Sequence, residues 1–216
     1  MRTIQVTGKG RLTLKPDTTR ITLSLEGLHR EYGETLRRSA EETEELRSVL
    51  SGLGFARTEL KTLRFGVDTE YESYRDGDGD FRQRFTGYRF RQEMKLDFPS
   101  DNDRLGRILS GLAKCAGKPE FHISYTVKDP EAAKNALLGK AVADAREKAA
   151  ALAAAGGVAL KGIQSIDYSW GEIDFEVRPM SGGIRADCCA ANKLAPDLEP
   201  EDMELTDTVT VLWELG

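Results

Sequence analysis

"GYRFRQEMKLDF", residues Gly87–Phe98, decides how the rest of the chain is read. Tyr88, Phe90, Met94, Leu96 and Phe98 alternate with Arg89, Arg91, Glu93, Lys95 and Asp97. A period of two sends the apolar set to one face of a strand and the charges to the other. The spacing predicts a strand over ~83–98 with one buried face. Just upstream, Leu63, Phe65, Val67 and Tyr71 share one side of a second strand, over ~58–74. Between the two lies "YRDGDGDF", Tyr74–Phe81, where a hairpin must turn.

Three aspartates alternating with two glycines invite a calcium reading. An EF-hand loop needs ligands at positions 1, 3 and 5, glycine at 6 and a bidentate glutamate at 12. Counted from Asp76, position 6 is Phe81 and position 12 is Gly87; counted from Asp78, they are Gln83 and Arg89. Neither start closes a coordination shell. Asp-Gly pairs are turn chemistry, because glycine takes positive φ without a steric penalty. The stretch is read as a hairpin tip, and no metal is predicted.

Working outward, Ile4 and Val6, Leu12 and Leu14, and Ile21, Leu23 and Leu25 alternate as strands. Gly8-Lys9-Gly10 is taken as a kink within one strand, and Pro16-Asp17 as a turn. Helical spacing takes over at ~31–53, with Leu36, Ala40, Leu46, Val49, Leu50 and Leu53 on one face. Glu41, Glu42, Glu44 and Glu45 fall mostly off that face, as a solvated surface would. Ser100 and Asp103 resemble a capping pair for a short helix carrying Leu105, Ile108, Leu109 and Leu112 and ending near Gly117. Phe121, Ile123, Tyr125 and Val127 predict a strand, with His122 on its opposite face.

Asp129-Pro130 is a helix start, with aspartate as cap and proline in the first turn. That helix is predicted to run to ~155, with Leu137, Leu138, Ala141, Ala145, Ala149 and Leu152 on its apolar side. Ile163, Ile166, Tyr168 and Trp170 suggest a strand at ~160–171. Residues 171–205 are read as a long excursion before a last strand, Thr208–Leu215. The order is β-β-α-β-β-α-β-α-β-β. It describes an α+β fold in which long antiparallel hairpins and about three helices share one sheet system. The whole is read as one domain, residues 1–216, with two lobes allowed.

The chain has 216 residues, a net charge of −5 and a sequence pI near 5.3. It offers no basic footprint for phosphates, so no nucleic-acid partner is expected. Tyr88 and Phe90 faintly echo an RNA-binding strand, but they share the apolar face with Met94 and Leu96 and are read as core. No apolar run approaches the ~20 residues that span a bilayer, and the first residues lack a signal-peptide core. As given, the chain is expected in the cytoplasm. Three cysteines, Cys115, Cys188 and Cys189, make no disulfide framework. The adjacent pair is read as two ordinary loop thiols, with a redox role as the alternative.

Thr7-Gly8-Lys9-Gly10 lacks the third glycine of a dinucleotide fingerprint and the Gly-Lys-Ser/Thr of a phosphate loop. The two histidines, His29 and His122, stand in no metal-binding spacing, and no nucleophile has a recognisable elbow around it. Catalytic residues and cofactors are therefore predicted as none.

The elements also form an ordered set. "VTGKG" at Val6–Gly10 precedes "KPD" at Lys15–Asp17, then "LGF" at Leu53–Phe55 and "LKT" at Leu60–Thr62. "GYRFRQEMKL" at Gly87–Leu96, "ALLGKAVADAREKAAALAAAGG" at Ala136–Gly157 and "TVTVLWEL" at Thr208–Leu215 complete it. In this the chain resembles the SIMPL-domain family, also called domain of unknown function 541. The resemblance implies an α+β fold with long hairpins and a tendency to form homo-oligomers. It also implies envelope or periplasmic locations for many bacterial members, a link of some to oxidative stress, and no catalytic residues to carry over.

Two functions follow as expectations. The first is a non-enzymatic assembly or interaction module. A hairpin over 58–98 would reach ~50 Å at ~3.3 Å per residue and offer its tip to a partner, with Tyr71, Tyr74, Phe81 and Phe85 as candidate contacts. The same aromatics could instead close the hairpin on itself. The second is a ligand-binding protein or enzyme with a pocket between lobes, drawing on His29, His122 and Asp167.

Overall fold

In the computed structural model, residues 2–168, 175–177 and 199–216 are described. Cys188, Cys189 and Trp170, and most of the 171–205 excursion, lie outside the described residues. The elements are β1 (Arg2–Leu14), β2 (Thr18–His29), α1 (Tyr32–Gly52), β3 (Lys61–Arg75), β4 (Phe81–Pro99) and α2 (Asn102–Leu112). They continue as β5 (Glu120–Thr126), α3 (Pro130–Ala155), β6 (Leu160–Asp167) and β7 (Met203–Leu215). Their order is the expected one, and the fold is α+β.

The single sheet system is not what forms. The strands make two sheets, one ordered β1-β7-β6 and one ordered β3-β4-β2-β5. Contacts divide the chain accordingly into two compact units: β1, α3, β6 and β7 form the first, and β2, α1, β3, β4, α2 and β5 the second. Alternation alone does not say which strands pair. Pro16-Asp17 looks like a hairpin turn, yet β1 and β2 belong to different sheets.

In the first unit β1 and β7 pair antiparallel without interruption, from Arg2 opposite Leu215 to Leu14 opposite Met203. The strand β7 therefore begins at Met203, five residues earlier than expected. Met203 and Leu205 are buried in the same alternation as Val209 and Val211, which the acidic surroundings of Glu201, Asp202 and Glu204 disguise. Asp129 caps α3 by accepting a bond from Ala132 N at 2.9 Å, with Pro130 in the first turn, as the sequence predicts.

The buried side of α3 is Ala133, Leu137, Ala141, Ala145, Ala149 and Ala153, while Leu152 is exposed. This alanine stripe lies on Gly8 and Gly10, and the supposed kink is a close approach. A Cβ built on Gly8 would sit 2.5 Å from Ala145 N and closer still to Ala141 O. One built on Gly10 would meet Leu137 O and lie 3.1 Å from Ala141 N. The glycines leave β1 unbent and let helix backbone rest on strand backbone. Across this contact Lys9 N donates to Asp144 Oδ2 at 2.7 Å, and Lys148 Nζ reaches Thr7 O at 3.5 Å and Asp144 at 2.7 Å.

In the second unit, β4 pairs with both β2 and β3 antiparallel. Ile21, Leu23 and Leu25 of β2 and Phe90, Met94, Leu96 and Phe98 of β4 form one core with Leu46 and Leu50 of α1 and Leu105, Ile108 and Leu112 of α2. The α2 cap is Asp101, which accepts from Arg104 N at 3.0 Å, in place of the expected Ser100 and Asp103; Ser100 meets Thr19 at 3.2 Å instead. This helix stops at Leu112, short of Gly117. Arg104 then reaches over Phe55, its guanidinium 4.1 Å from the ring centroid.

The first half of α1 buries Thr35, Ser39 and Thr43, and leaves Leu36 and Ala40 exposed. The hydroxyls satisfy themselves on their own helix: Thr35 donates to Glu31 O at 2.9 Å and Ser39 to Leu36 O at 2.9 Å. Thr43 Oγ1 lies 2.7 Å from Ser39 O and 2.8 Å from Gln92 Oε1, the one polar side chain in the inward row of β4. Small hydroxyls bonded in this way can face a core at little cost.

One carboxylate on α1 is less well provided. Glu42 Oε2 is buried without a hydrogen-bond partner. Burial pushes this carboxyl above its ordinary value, Glu45 adds to the rise, and the charges of His29 and Arg38 oppose it. An acid raised in the folded state stabilises below its unfolded value and loses that contribution as pH climbs through the folded one. Glu42→Gln is therefore expected to stabilise the protein at pH 7 by up to about 1 kcal/mol, and to bring almost nothing near pH 4. Urea midpoints of both proteins at the two pH values check this.

Candidate functional site

The surface that stands out is an arm built from β3 and β4. Pairing of β2 with β4 ends at His29 opposite Tyr88, while β3 and β4 continue to Arg75 opposite Phe81. Only this distal part is two-stranded. Phe81–Gly87 at ~3.4 Å per residue reaches ~24 Å, about half the length expected from the sequence, because the rest of the hairpin is held in the sheet by β2.

The turn at the tip is closed by Asp76. Its Oδ1 accepts from Asp78 N at 3.1 Å and Asp80 N at 3.0 Å, and its Oδ2 pairs with Arg82 at 2.5 Å. Gly79 takes φ +87°, as the turn requires. The carboxylate that a calcium ion would need is thus engaged by the hairpin itself. Among the described residues no three of His, Cys, Asp and Glu are grouped as metal ligands.

Where the arm leaves the sheet, the register shifts. Glu70 faces Gly87 and Tyr71 faces Phe85, so Thr86 is an extra residue. Its hydroxyl donates to Glu70 O at 2.9 Å. Gly87 has φ +154°, and a Cβ there would collide with His29 O. The bulge keeps Phe85 and Tyr88 on the same face although they are three residues apart.

Edge-to-face contacts then run in a chain. Tyr32 meets Tyr88 at 5.4 Å between ring centroids, Tyr88 meets Phe85 at 5.2 Å, and Phe85 meets Tyr71 at 5.8 Å. Such geometry suits the quadrupoles of aromatic rings. Tyr71 and Phe85 are therefore brought together, yet they remain 55% and 43% exposed. Phe81 stands at the tip, 74% exposed, with the Arg75 guanidinium 4.7 Å from its centroid. Tyr74 lies on the opposite face near Arg84, which also pairs with Glu72 at 2.8 Å.

Tyr32 and Tyr88 were not among the expected contacts. Strict alternation separates residues 85 and 88, and Gly87 was the only sign of a bulge. Phe65 of β3, opposite Gln92, is also 50% exposed, because β3 is the outermost strand.

The other face of this sheet is a lattice of charge. Arg20 binds Asp97 through two bonds, at 2.7 and 3.0 Å. Arg89 pairs with Glu26 and, at 2.5 Å, with Glu70; Arg91 pairs with Glu26 at 3.2 Å and Asp68 at 3.4 Å. Burial pushes Glu26 up, but the bonds and charges of Arg89 and Arg91 outweigh it and hold the carboxyl below its ordinary value. These cross-strand pairs stiffen the root of the arm.

The residues of the alternative reading are not gathered. His29 ends β2, half-buried, and His122 is exposed on β5; neither has a hydrogen-bond or ion-pair partner among the described residues. Asp167 is exposed at the end of β6, in the other unit. An open depression of about 580 Å³ lies along α3, lined by Gly139, Val142, Ala143, Arg146, Glu147 and Ala150. No helix among the described residues is long and apolar enough to cross a membrane.

The molecule is thus an α+β protein of two antiparallel-sheet units, one of which extends an aromatic two-stranded arm. The chain belongs to the SIMPL family, described as a protein of unknown function (DUF541), whose model matches residues 4–213. No curated protein shows significant similarity to it. Among solved structures, the regulatory subunit of aspartate kinase from Thermus flavus aligns over 97% of this chain and 89% of its own at 11% identity. The TM-score of 0.19 is too low for that likeness to carry an argument.

Proposed function

We propose that the chain is a non-enzymatic assembly module that joins copies of itself through the β3–β4 arm. The observation that carries this reading is the aromatic face of the arm. Tyr71, Phe85 and Phe81 stand exposed on a two-stranded projection whose root is held by a ring chain and an ion-pair lattice. Exposed aromatics on a stiff element lose little entropy when covered, which is why such groups anchor interfaces. A hairpin that served only to join two strands would need neither the bulge nor the ring chain.

Light scattering coupled to size exclusion tests this on the full chain. The protein is expected to elute as a stable oligomer, with a mass unchanged by reductant. Deleting residues 72–84, or replacing Tyr71 and Phe85 by serine, is expected to lower that mass by whole subunits. A monomeric parent protein, or a deletion that leaves the oligomer mass intact, would sink the proposal.

A further inference from the structure

Among the described residues the sheet of the second unit has two edge strands, the seven-residue β5 and the fifteen-residue β3, and the charge pattern of the longer one says what can close it. In the order β3-β4-β2-β5, β3 is outermost, and every residue of it is exposed or half-buried. Unpaired edges invite strand addition, and proteins usually block them. The β1 edge of the other sheet is blocked: Lys9 N and Thr7 O are taken by Asp144 and Lys148 of α3. The β6 edge is broken by two irregularities, between Leu160 and Ile163 and between Ile163 and Ser165. The β3 edge is regular from Arg64 to Glu70, between its own two register shifts.

That regular stretch reads Arg64-Phe65-Gly66-Val67-Asp68-Thr69-Glu70, with Val67 at its midpoint. Phe65, Val67 and Thr69 point to the face that carries the core, opposite Gln92, Phe90 and Tyr88. Arg64, Gly66, Asp68 and Glu70 point to the charged face. The positive end of this row is Arg64 and its negative end is Glu70. Turned antiparallel about Val67, a second copy sets Arg64 against Glu70 twice, Asp68 against Gly66, Phe65 against Thr69, and Val67 against Val67. No like charges meet.

A two-fold axis at Asp68 instead would put two carboxylates face to face, which cross-strand pairing disfavours. Arg64 has no ion-pair or hydrogen-bond partner of its own among the described residues. Glu70 meets Arg89 and Arg91 through Oε1 alone, leaving Oε2 open.

We infer that β3 pairs antiparallel with β3 of a second copy about a two-fold axis at Val67, joining two four-stranded sheets into one of eight strands. This rests on the assembly reading above and assigns it a partner, an edge and a register.

The test uses the full chain carrying Cys188→Ser and Cys189→Ser, with the buried Cys115 retained. Val67→Cys is expected to give a covalent dimer with mild oxidant or a short bismaleimide. Arg75→Cys is not, since the register places its two copies ~54 Å apart at ~3.4 Å per residue. In the Val67→Cys protein, Arg64→Glu is expected to lower the yield roughly tenfold at low salt, and high salt to restore most of it. Linkage through Arg75→Cys as readily as through Val67→Cys overturns the register. A solution oligomer in which Val67→Cys fails to link overturns the edge pairing and leaves assembly through the arm standing. A monomer overturns both.

Discussion

Gly8→Leu is expected to abolish folding of the unit built from β1, β6, β7 and α3. The obstacle is backbone. A Cβ on Gly8 meets Ala141 O and lies 2.5 Å from Ala145 N and 2.8 Å from Ala145 Cβ. A side chain can turn aside, whereas a helix backbone bonded from Asp129 to Gly156 cannot yield locally. Even Gly8→Ala must push α3 off β1, which separates the Ala141, Ala145 and Ala149 stripe from Val6, Val209 and Val211. Overpacking of this kind costs about 3 kcal/mol for alanine, and leucine exceeds what a marginally stable unit can absorb.

Gly139→Ala is the control. That glycine lies inside the same helix with nothing within 4 Å of an added Cβ. Alanine there is expected to stabilise by about 1 kcal/mol. Urea unfolding followed by circular dichroism reads both, and a Gly8→Ala protein as stable as its parent would refute the close-approach account.

Phe90→Ala is expected to cost about 3–5 kcal/mol, the range for emptying a well-packed aromatic site. Phe90 is fully buried at the centre of β4, opposite Gly27 of β2 and Val67 of β3. Its ring covers the place where Gly27 would carry a side chain, for a Cβ there would lie 2.5 Å from Phe90 Cε1. On the β2 side the cavity therefore opens onto bare backbone at Gly27. Gly27→Ala is expected to destabilise the parent but to recover part of the loss in the Phe90→Ala protein, a coupling that a double-mutant cycle measures. Equal effects of Gly27→Ala in both backgrounds would show that the two residues do not share this space.

What the sequence made legible were the features encoded by near neighbours. The order of elements, the cap at Asp129 and the inward row of β4 are each stated within a few residues. What stayed hidden depends on residues far apart. Gly8 and Gly10 looked like a kink because the helix they admit lies more than a hundred residues away. Leu36 and Ala40 took the face that Thr35 and Ser39 occupy, since the carbonyl partners of those hydroxyls become acceptors only once the helix exists. The division into two sheets is a choice of partners, which a period of two cannot express. At the candidate site, Tyr71, Tyr74, Phe81 and Phe85 were visible as aromatics near a turn. The bulge at Thr86, which gathers Tyr32 and Tyr88 behind them, reverses the parity on which such a reading relies.

The in-register pairing of β1 with β7 has a consequence for synthesis. The strands and helices of the second unit all lie between Thr18 and Thr126, so they emerge together. The first unit begins with β1 and cannot complete its central pairing until Met203–Leu215 has been made. At ~5–20 residues per second, β1 waits roughly 10–40 s for that partner. Chain growth thus imposes a schedule on the molecule: β2 to β5 can pair while synthesis continues, and β1 must wait for Met203–Leu215.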